Sequence, residues 1–338
     1  MSSLGKYRSV LVPVILLALF FFALALRAIP ALYTPPGGFL PTYDSDTWYT
    51  LRQVEVMVHH FPQYDWFDPM TAYPAGKSID WGPLFPALAA LLSLAAGAAT
   101  RADIIATSMW LGPLLGACMV PVMYLLGKVV WDWRAGLVAA GLVAFTAFRL
   151  FFLSSYGYVD HHIAEVLATS LFFLAYCAAL AYARDHPPSP SRAASFLPVA
   201  GLSLLAGALF SAGFLVSTTV VLLVPAIVVY TVIQVTIDTF EGRPPWYLAV
   251  MHTIIFTIAS LALLGTGIQA EGLSLIQYSA GHLIVFGAVI AMTWVLAAAS
   301  WASKGRKTLY LALLAALGVM GVLLVLFVPS LGTMASQG

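Results

Sequence analysis

Nine apolar runs of 17 to 25 residues divide this chain of 338. Crossing the roughly 30 Å hydrocarbon core of a bilayer takes about 20 apolar residues in a helix. The runs are Val10–Ile29, Ile104–Leu126, Ala135–Phe151, Ile163–Ala183, Phe196–Ala212, Phe214–Val235, Leu248–Gly267, Leu275–Ala299 and Leu309–Val328. Charged residues make up 9% of the chain, where a soluble domain carries about 25%. So few charges cannot coat a water-facing surface. The sequence therefore specifies an all-α polytopic membrane protein with about nine transmembrane helices. The first run follows Lys6 and Arg8 but is longer than the roughly 7–15-residue core of a secretory signal, so it reads as a retained helix. Cys118 and Cys177 lie inside apolar runs and read as small core residues, without a disulfide framework.

A tenth apolar stretch, Pro83–Ala96, is short and carries Pro83 and Pro86. Charge decides its place. If it does not span and the N-terminus is cytoplasmic, then Lys6, Arg8, Lys128, Arg134, Arg184, Arg192, Arg243, Lys304, Arg306 and Lys307 face inward, 10 of the 15 Lys and Arg. A spanning Pro83–Ala96 would turn four of these outward. The positive-inside rule thus favours an embedded or interfacial helix there. It makes Pro30 to Asp103 (30–103) a long first external loop and Leu153–Asp160 a short external turn. Asp46 and Asp160 then lie on the same face. The net charge of +1 gives no ground for a nucleic-acid partner.

Two stretches could carry chemistry. In TYDSDTWYTLRQVE (Thr42 to Glu55), Asp44 and Asp46 open a helix that carries Trp48, Tyr49 and Arg52. Either acid could serve only as an N-cap, the aromatics only as interface anchors, and Arg52 only as an i,i+3 partner of Glu55. In GYVDHHIAEV (Gly157 to Val166), Asp160 could cap the next helix, with His161 and His162 as ordinary interface residues. Alternatively, Asp160 and His162 hold one divalent cation. Carboxylate oxygen with imidazole nitrogen suits manganese, iron or zinc, whereas magnesium prefers oxygen. Two residues apart, they converge only if Asp160 precedes the helix. Asp46 would supply a third ligand from the other external segment. Arg149, near the outer end of its run, either snorkels or meets a lipid phosphate. Glu271 reads as a solvated loop acid. His59, His60, His252 and His282 show no ligand spacing.

With these stretches together, the chain resembles the oligosaccharyltransferase catalytic-subunit family, of the archaeal AglB type. Asp44-Ser45-Asp46 with Trp48-Tyr49 and Arg52 is similar to the family's first D-x-D motif. FDPMTAYPAGKSIDWGPLFP (Phe67 to Pro86) resembles the first external loop leading into its embedded helix, and GYVDHH the second motif in its D-x-H form. The interval of 114 residues between Asp46 and Asp160 also suits the family.

The resemblance implies a GT-C type glycosyltransferase architecture. It implies inverting transfer of an oligosaccharide from a dolichyl phosphate or diphosphate to Asn of Asn-x-Ser/Thr, outside the cell membrane. It also implies an Mn2+ or Mg2+ cofactor held by Asp46, Asp160 and His162, with Asp46 loosening the acceptor amide and Asp44, Arg52, His161 and Arg149 in support. The implied partners are the lipid-linked oligosaccharide, the acceptor polypeptide and the bilayer. Family members continue into an external C-terminal domain with S/T-x-x-E and W-W-D motifs. Ile268 stands where the first would need Ser or Thr before Glu271, and WDW at Trp131–Trp133 is on the inner side. The expectation is thus a truncated transmembrane catalytic domain, inactive alone. Two other classes remain open. A protein O-mannosyltransferase-like enzyme gives no reason for GYVDHH. A divalent-metal transporter or sensor using Asp160, His162 and Glu165 would place its ligands near the midplane instead.

Overall fold

A computed structural model describes residues 3–34, 45–145, 148–188 and 191–327. It contains two compact units, Met1–Cys177 and Ala178–Gly338. The first unit holds α1 (Ser3–Ala28), α2 (Ser45–His59), α3 (Leu84–Ala95), α4 (Arg101–Ser108), α5 (Leu111–Val130), α6 (Trp133–Phe145) and α7 (Phe148–Leu153). It also holds the start of α8 (His162–Asp185) and a two-residue antiparallel pair, β1 (Phe67–Asp68) with β2 (Lys77–Ser78). The second unit takes the end of α8, then α9 (Leu197–Val216), α10 (Leu223–Phe240), α11 (Trp246–Thr266), α12 (Ala280–Ala302) and α13 (Lys307–Phe327).

Seven helical segments among the described residues are long and apolar enough to cross a membrane. The other two expected spans map to α6 and α13, which fall short of that standard over their described residues. The expected span Ala135–Phe151 maps to α6 and α7, and residues 146 and 147 between them lie outside the described residues. The stretch Pro83–Ala96 forms α3, 12 residues long. At 1.5 Å per residue it reaches about 18 Å, too short to span. Pro86 sits in its first turn, where a missing N–H costs nothing.

Two boundaries differ from the apolar runs, each for a capping reason. The break expected at Gly213 falls at Ser217, because one glycine does not stop an apolar helix, whereas the Ser217 hydroxyl accepts from Thr219 N. Helix α12 begins at Ala280 rather than Leu275. The Ser279 hydroxyl accepts from Gly281 N, and the His282 ring faces back onto Ser279 N in a capping box. His282 thus has a capping role.

In the first unit α1, α5, α6 and the first turn of α8 share a core that includes Val12, Ala23, Val120, Tyr124, Ala140 and Ile163. The close approach of α5 and α6 depends on Gly136, whose added Cβ would sit 2.4 Å from the Tyr124 carbonyl oxygen. The second unit packs Phe210, Phe256 and Phe286 with ring centroids 5.5–5.8 Å apart. Edge-on and offset ring contacts of this kind add to simple area burial.

Candidate metal centre

The site assembles where α2 begins and where the turn before α8 ends. Asp160 lies just ahead of α8, as convergence with His162 required, and is 1% exposed. Its Oδ1 accepts the His161 backbone N–H at 2.6 Å and lies 2.7 Å from His161 Nδ1. Its Oδ2 lies 3.4 Å from His162 Nε2, and His162 Nδ1 lies 3.8 Å from Glu165 Oε2. One donor atom from each of Asp160, His161 and His162 falls within 4.8 Å of the others.

Asp46 sits on the exposed first turn of α2, within electrostatic reach of His162. Its neighbour Thr47 is fully buried, and the Thr47 hydroxyl accepts the Val159 N–H at 3.2 Å. Residues 47 and 159 adjoin the two acids, so this bond ties the two motifs together across 112 positions of sequence. Asp46 is not one of the close three. Asp44 lies outside the described residues.

The structure fits a cation at this point. Asp160 Oδ2 is a buried atom without a hydrogen-bond partner among the described residues. A buried carboxylate oxygen left so is costly and calls for an explanation, and a coordinated ion supplies one. Burial pushes the Asp160 carboxyl up, but hydrogen bonding with His161 and the charges of His161 and His162 outweigh this, holding it below its ordinary value. It therefore stays an anionic donor at neutral pH. Oxygen with two imidazoles suits manganese, iron or zinc better than magnesium.

Other expected residues take different places. Arg52 pairs with Asp68 at 3.2 Å, not with Glu55, which instead pairs with Arg101 at 3.3 Å. The loop fold explains the switch: the β1–β2 pair carries Asp68 over α2, and a 92%-buried carboxylate competes better than an exposed i,i+3 neighbour. Arg149 is exposed on α7, with no ion pair among the described residues. Glu271 is exposed, as expected of a loop acid.

Two supports escaped the sequence reading. The Trp81 ring stacks on His161 with centroids 5.6 Å apart, and its indole donates to Gln53 Oε1 at 2.9 Å. Tyr49 meets Trp81 edge-on at 5.0 Å. The first loop thus holds the His161 ring against α2. Arg27 is fully buried at the end of α1. It donates to the carbonyls of Val143 and Ala144 at 3.1 and 3.0 Å and to the Ser154 hydroxyl at 2.9 Å. Those two carbonyls lie in the last described turn of α6, so Arg27 ties the end of α1 to that turn. The Arg27 carbonyl then takes Tyr156 N at 2.8 Å, fixing the turn that leads to Asp160. A cation near the end of an apolar run was the available signal.

Residues 10–336 match the family model described as oligosaccharyl transferase STT3, N-terminal. The chain is 28% identical over 254 residues to a dolichyl-phosphooligosaccharide-protein glycotransferase 3 of Archaeoglobus fulgidus, a match covering 73% of this chain and 28% of that relative. The chain thus spans a little over a quarter of its length. The fold matches that of an Archaeoglobus fulgidus oligosaccharyltransferase AglB solved with an inhibitory peptide and a dolichol-phosphate, with TM-score 0.82, 21% identity and coverage of 96% of this chain and 38% of the other. It also matches an Archaeoglobus fulgidus oligosaccharyltransferase solved with Zn and sulfate, with TM-score 0.78, 23% identity and coverage of 92% and 40%. A family match running through nearly the whole chain, on a helical fold shared with those two structures, makes this protein a member of the STT3 oligosaccharyl transferase family, matched in that family's N-terminal region.

Proposed function

We propose that this region forms the metal-holding transmembrane part of an enzyme that moves an oligosaccharide from a dolichyl phosphate or diphosphate to Asn of Asn-x-Ser/Thr. The bond from Val159 N to Thr47 Oγ1 carries the reading, because it draws Asp46 to the side of the Asp160–His162 group. The relative's name and the neighbour's dolichol-phosphate and peptide support the donor and acceptor classes. The neighbour solved with Zn and sulfate supports a metal in a protein of this fold.

Asp46, Asp160 and His162 would hold the cation, with His161 beside them; Mn2+ fits this donor set, and Mg2+ remains the other expectation. When bound, it supplies Lewis-acid stabilisation to the departing phosphate oxygens. The chain's own residues do the rest. An amide nitrogen is a weak nucleophile because its lone pair is delocalised into the carbonyl. Asp46, exposed at the start of α2, accepts a hydrogen bond from the acceptor amide N–H and favours its rotation out of conjugation. The nitrogen then bonds to the anomeric carbon as the carbon–oxygen bond to phosphate breaks, inverting that centre, and the amide proton passes to the released phosphate through solvent. Thr47 and Trp81 keep the two halves of the site in register. The loop charges support an external face for this site and a cytoplasmic N-terminus.

The test has two readouts. Mn2+ binding to the purified chain is measured by calorimetry for wild type and Asp160→Asn. Transfer to an Asn-x-Thr peptide is assayed in membranes of cells expressing the gene, with and without Asp46→Ala. Equal Mn2+ affinity in the Asp160 variant, or near-normal transfer in the Asp46 variant, would reject the reading.

A further inference from the structure

We infer that the second unit carries a lipid site, with a primary-amine phospholipid as its ligand class, in a cleft between the end of α8 and α10. The argument does not depend on the metal chemistry.

Helix α10 is an apolar span, yet Tyr230, Gln234 and Asp238 recur along it at four-residue intervals. That spacing puts them on one face, over about 12 Å. They form a directed chain. The Tyr230 hydroxyl donates to Gln234 Oε1 at 3.3 Å, and Gln234 Nε2 donates to Asp238 Oδ1 at 3.0 Å. The Tyr247 hydroxyl, from the first turn of α11, donates to Asp238 Oδ2 at 2.9 Å. Asp238 is 2% exposed. Asp238 lies two residues from the end of α10, so this buried, fully bonded acid forms a polar wall at the end of the span.

A cleft of about 320 Å³ opens over this face. The end of α8 forms its other wall, with Leu180 and Ala181 apolar and Arg184 at the rim. The cleft is therefore greasy on one side and polar on the other, and it sits at the helix ends that the loop charges place on the cytoplasmic side. Both properties suit an amphiphile anchored by its head group.

The charges narrow the class. Arg184 has no ion pair among the described residues and is exposed. Arg243 is engaged on both sides, with Nε 3.5 Å from Asp238 Oδ1 and a terminal nitrogen on Glu241. The lining thus pairs one uncommitted cation with an acid-rich side, where Asp238 and Glu241 share a single arginine. A phosphodiester meets Arg184, and an ammonium with N–H donors meets Glu241. A head group with only one of these charges leaves the other side of the cleft unmatched.

Native mass spectrometry of the protein in detergent micelles, titrated with phosphatidylethanolamine, tests this. Wild type should retain one lipid, and Arg184→Gln should weaken retention about tenfold or more, the usual scale for losing a charge-assisted bond. Glu241→Gln should erase the preference over phosphatidylcholine, whose head group has no N–H. Arg192→Gln, a cation outside the cleft lining, should change nothing. Equal binding of the two lipids by wild type would overturn the amine claim. Full retention in Arg184→Gln, or an equal loss in Arg192→Gln, would overturn the site. Displacement of the lipid by millimolar inorganic phosphate would show a free-phosphate site and overturn the lipid assignment.

Discussion

Two buried aspartates sit in this protein under opposite conditions. Asp160, ahead of α8, is 1% exposed, and its Oδ2 has no hydrogen-bond partner among the described residues. Asp238, near the end of α10, is 2% exposed, and both of its oxygens are filled, one by Gln234 and the other by Tyr247. Burial is the same and satisfaction is not. A filled carboxylate organises its neighbours, whereas an unfilled one beside two imidazoles leaves a lone pair open to a further donor. Burial alone would have ranked these two acids equally. The unmet oxygen separates a candidate ligand from a scaffold.

The comparison breaks most readily at Asp160. Asp160→Asn should lower Mn2+ affinity by at least about 100-fold, the upper range even for residues that only support a ligand, while Asp238→Asn should leave it unchanged. Calorimetric titration of both variants checks this, and a parallel loss in both would erase the distinction. Next comes the frame behind Asp160. A Cβ on Gly116 would lie 2.6 Å from Arg27 Nε and 2.8 Å from the Ser154 Cβ. Gly116→Ala should therefore destabilise the first unit by about 1–3 kcal/mol, the usual cost of overpacking. Thermal unfolding in detergent should show it, and an unchanged midpoint would mean that Arg27 has room to move.

Thr47→Val keeps the shape but removes the acceptor for Val159 N. A buried N–H left unmet costs about 1–3 kcal/mol. Mn2+ affinity should fall with it, because the register of the two motifs loosens; stability loss with unaltered metal binding would show that the bond is only structural. The smallest effect concerns Asp68. Burial pushes its carboxyl up, but bonds from Met70 and Thr71 and the charge of Arg52 bring it below the ordinary carboxylate value. A group depressed on folding adds stability that is present above its unfolded pKa, near 3.8, and is lost as pH falls through the lower folded value. Hydrogen exchange of residues 64–81 should thus show protection that holds from pH 7 to about 5 and weakens below about 4. The change should be under about 1 kcal/mol, since Arg52 is 45% exposed. Protection that grows with acid would reverse the sign and reject the role.

The membrane class, most of the helices and the two acidic motifs were legible in the sequence because each is local. Apolar run length reports a span, and a short Pro-bearing run such as Pro83–Ala96 reports one that does not reach across, as the 12-residue helix there shows. Asp160 ahead of its helix followed from the two-residue interval to His162. The Arg52 pairing was misread because its partner, Asp68, is brought over α2 by a two-residue β pair that no periodicity announces.

The sequence by itself therefore determined that this chain is a bundle of membrane helices with two acid-bearing segments between them. That follows because hydrophobic length and loop charge act residue by residue against a bilayer of fixed thickness. Only the tertiary structure decided which of those side chains meet. Thr47 with Val159, Trp81 with His161, and Arg27 with the last described turn of α6 are contacts between residues 80 to 117 positions apart. They arise because buried donors and acceptors must find partners wherever the packed helices deliver them.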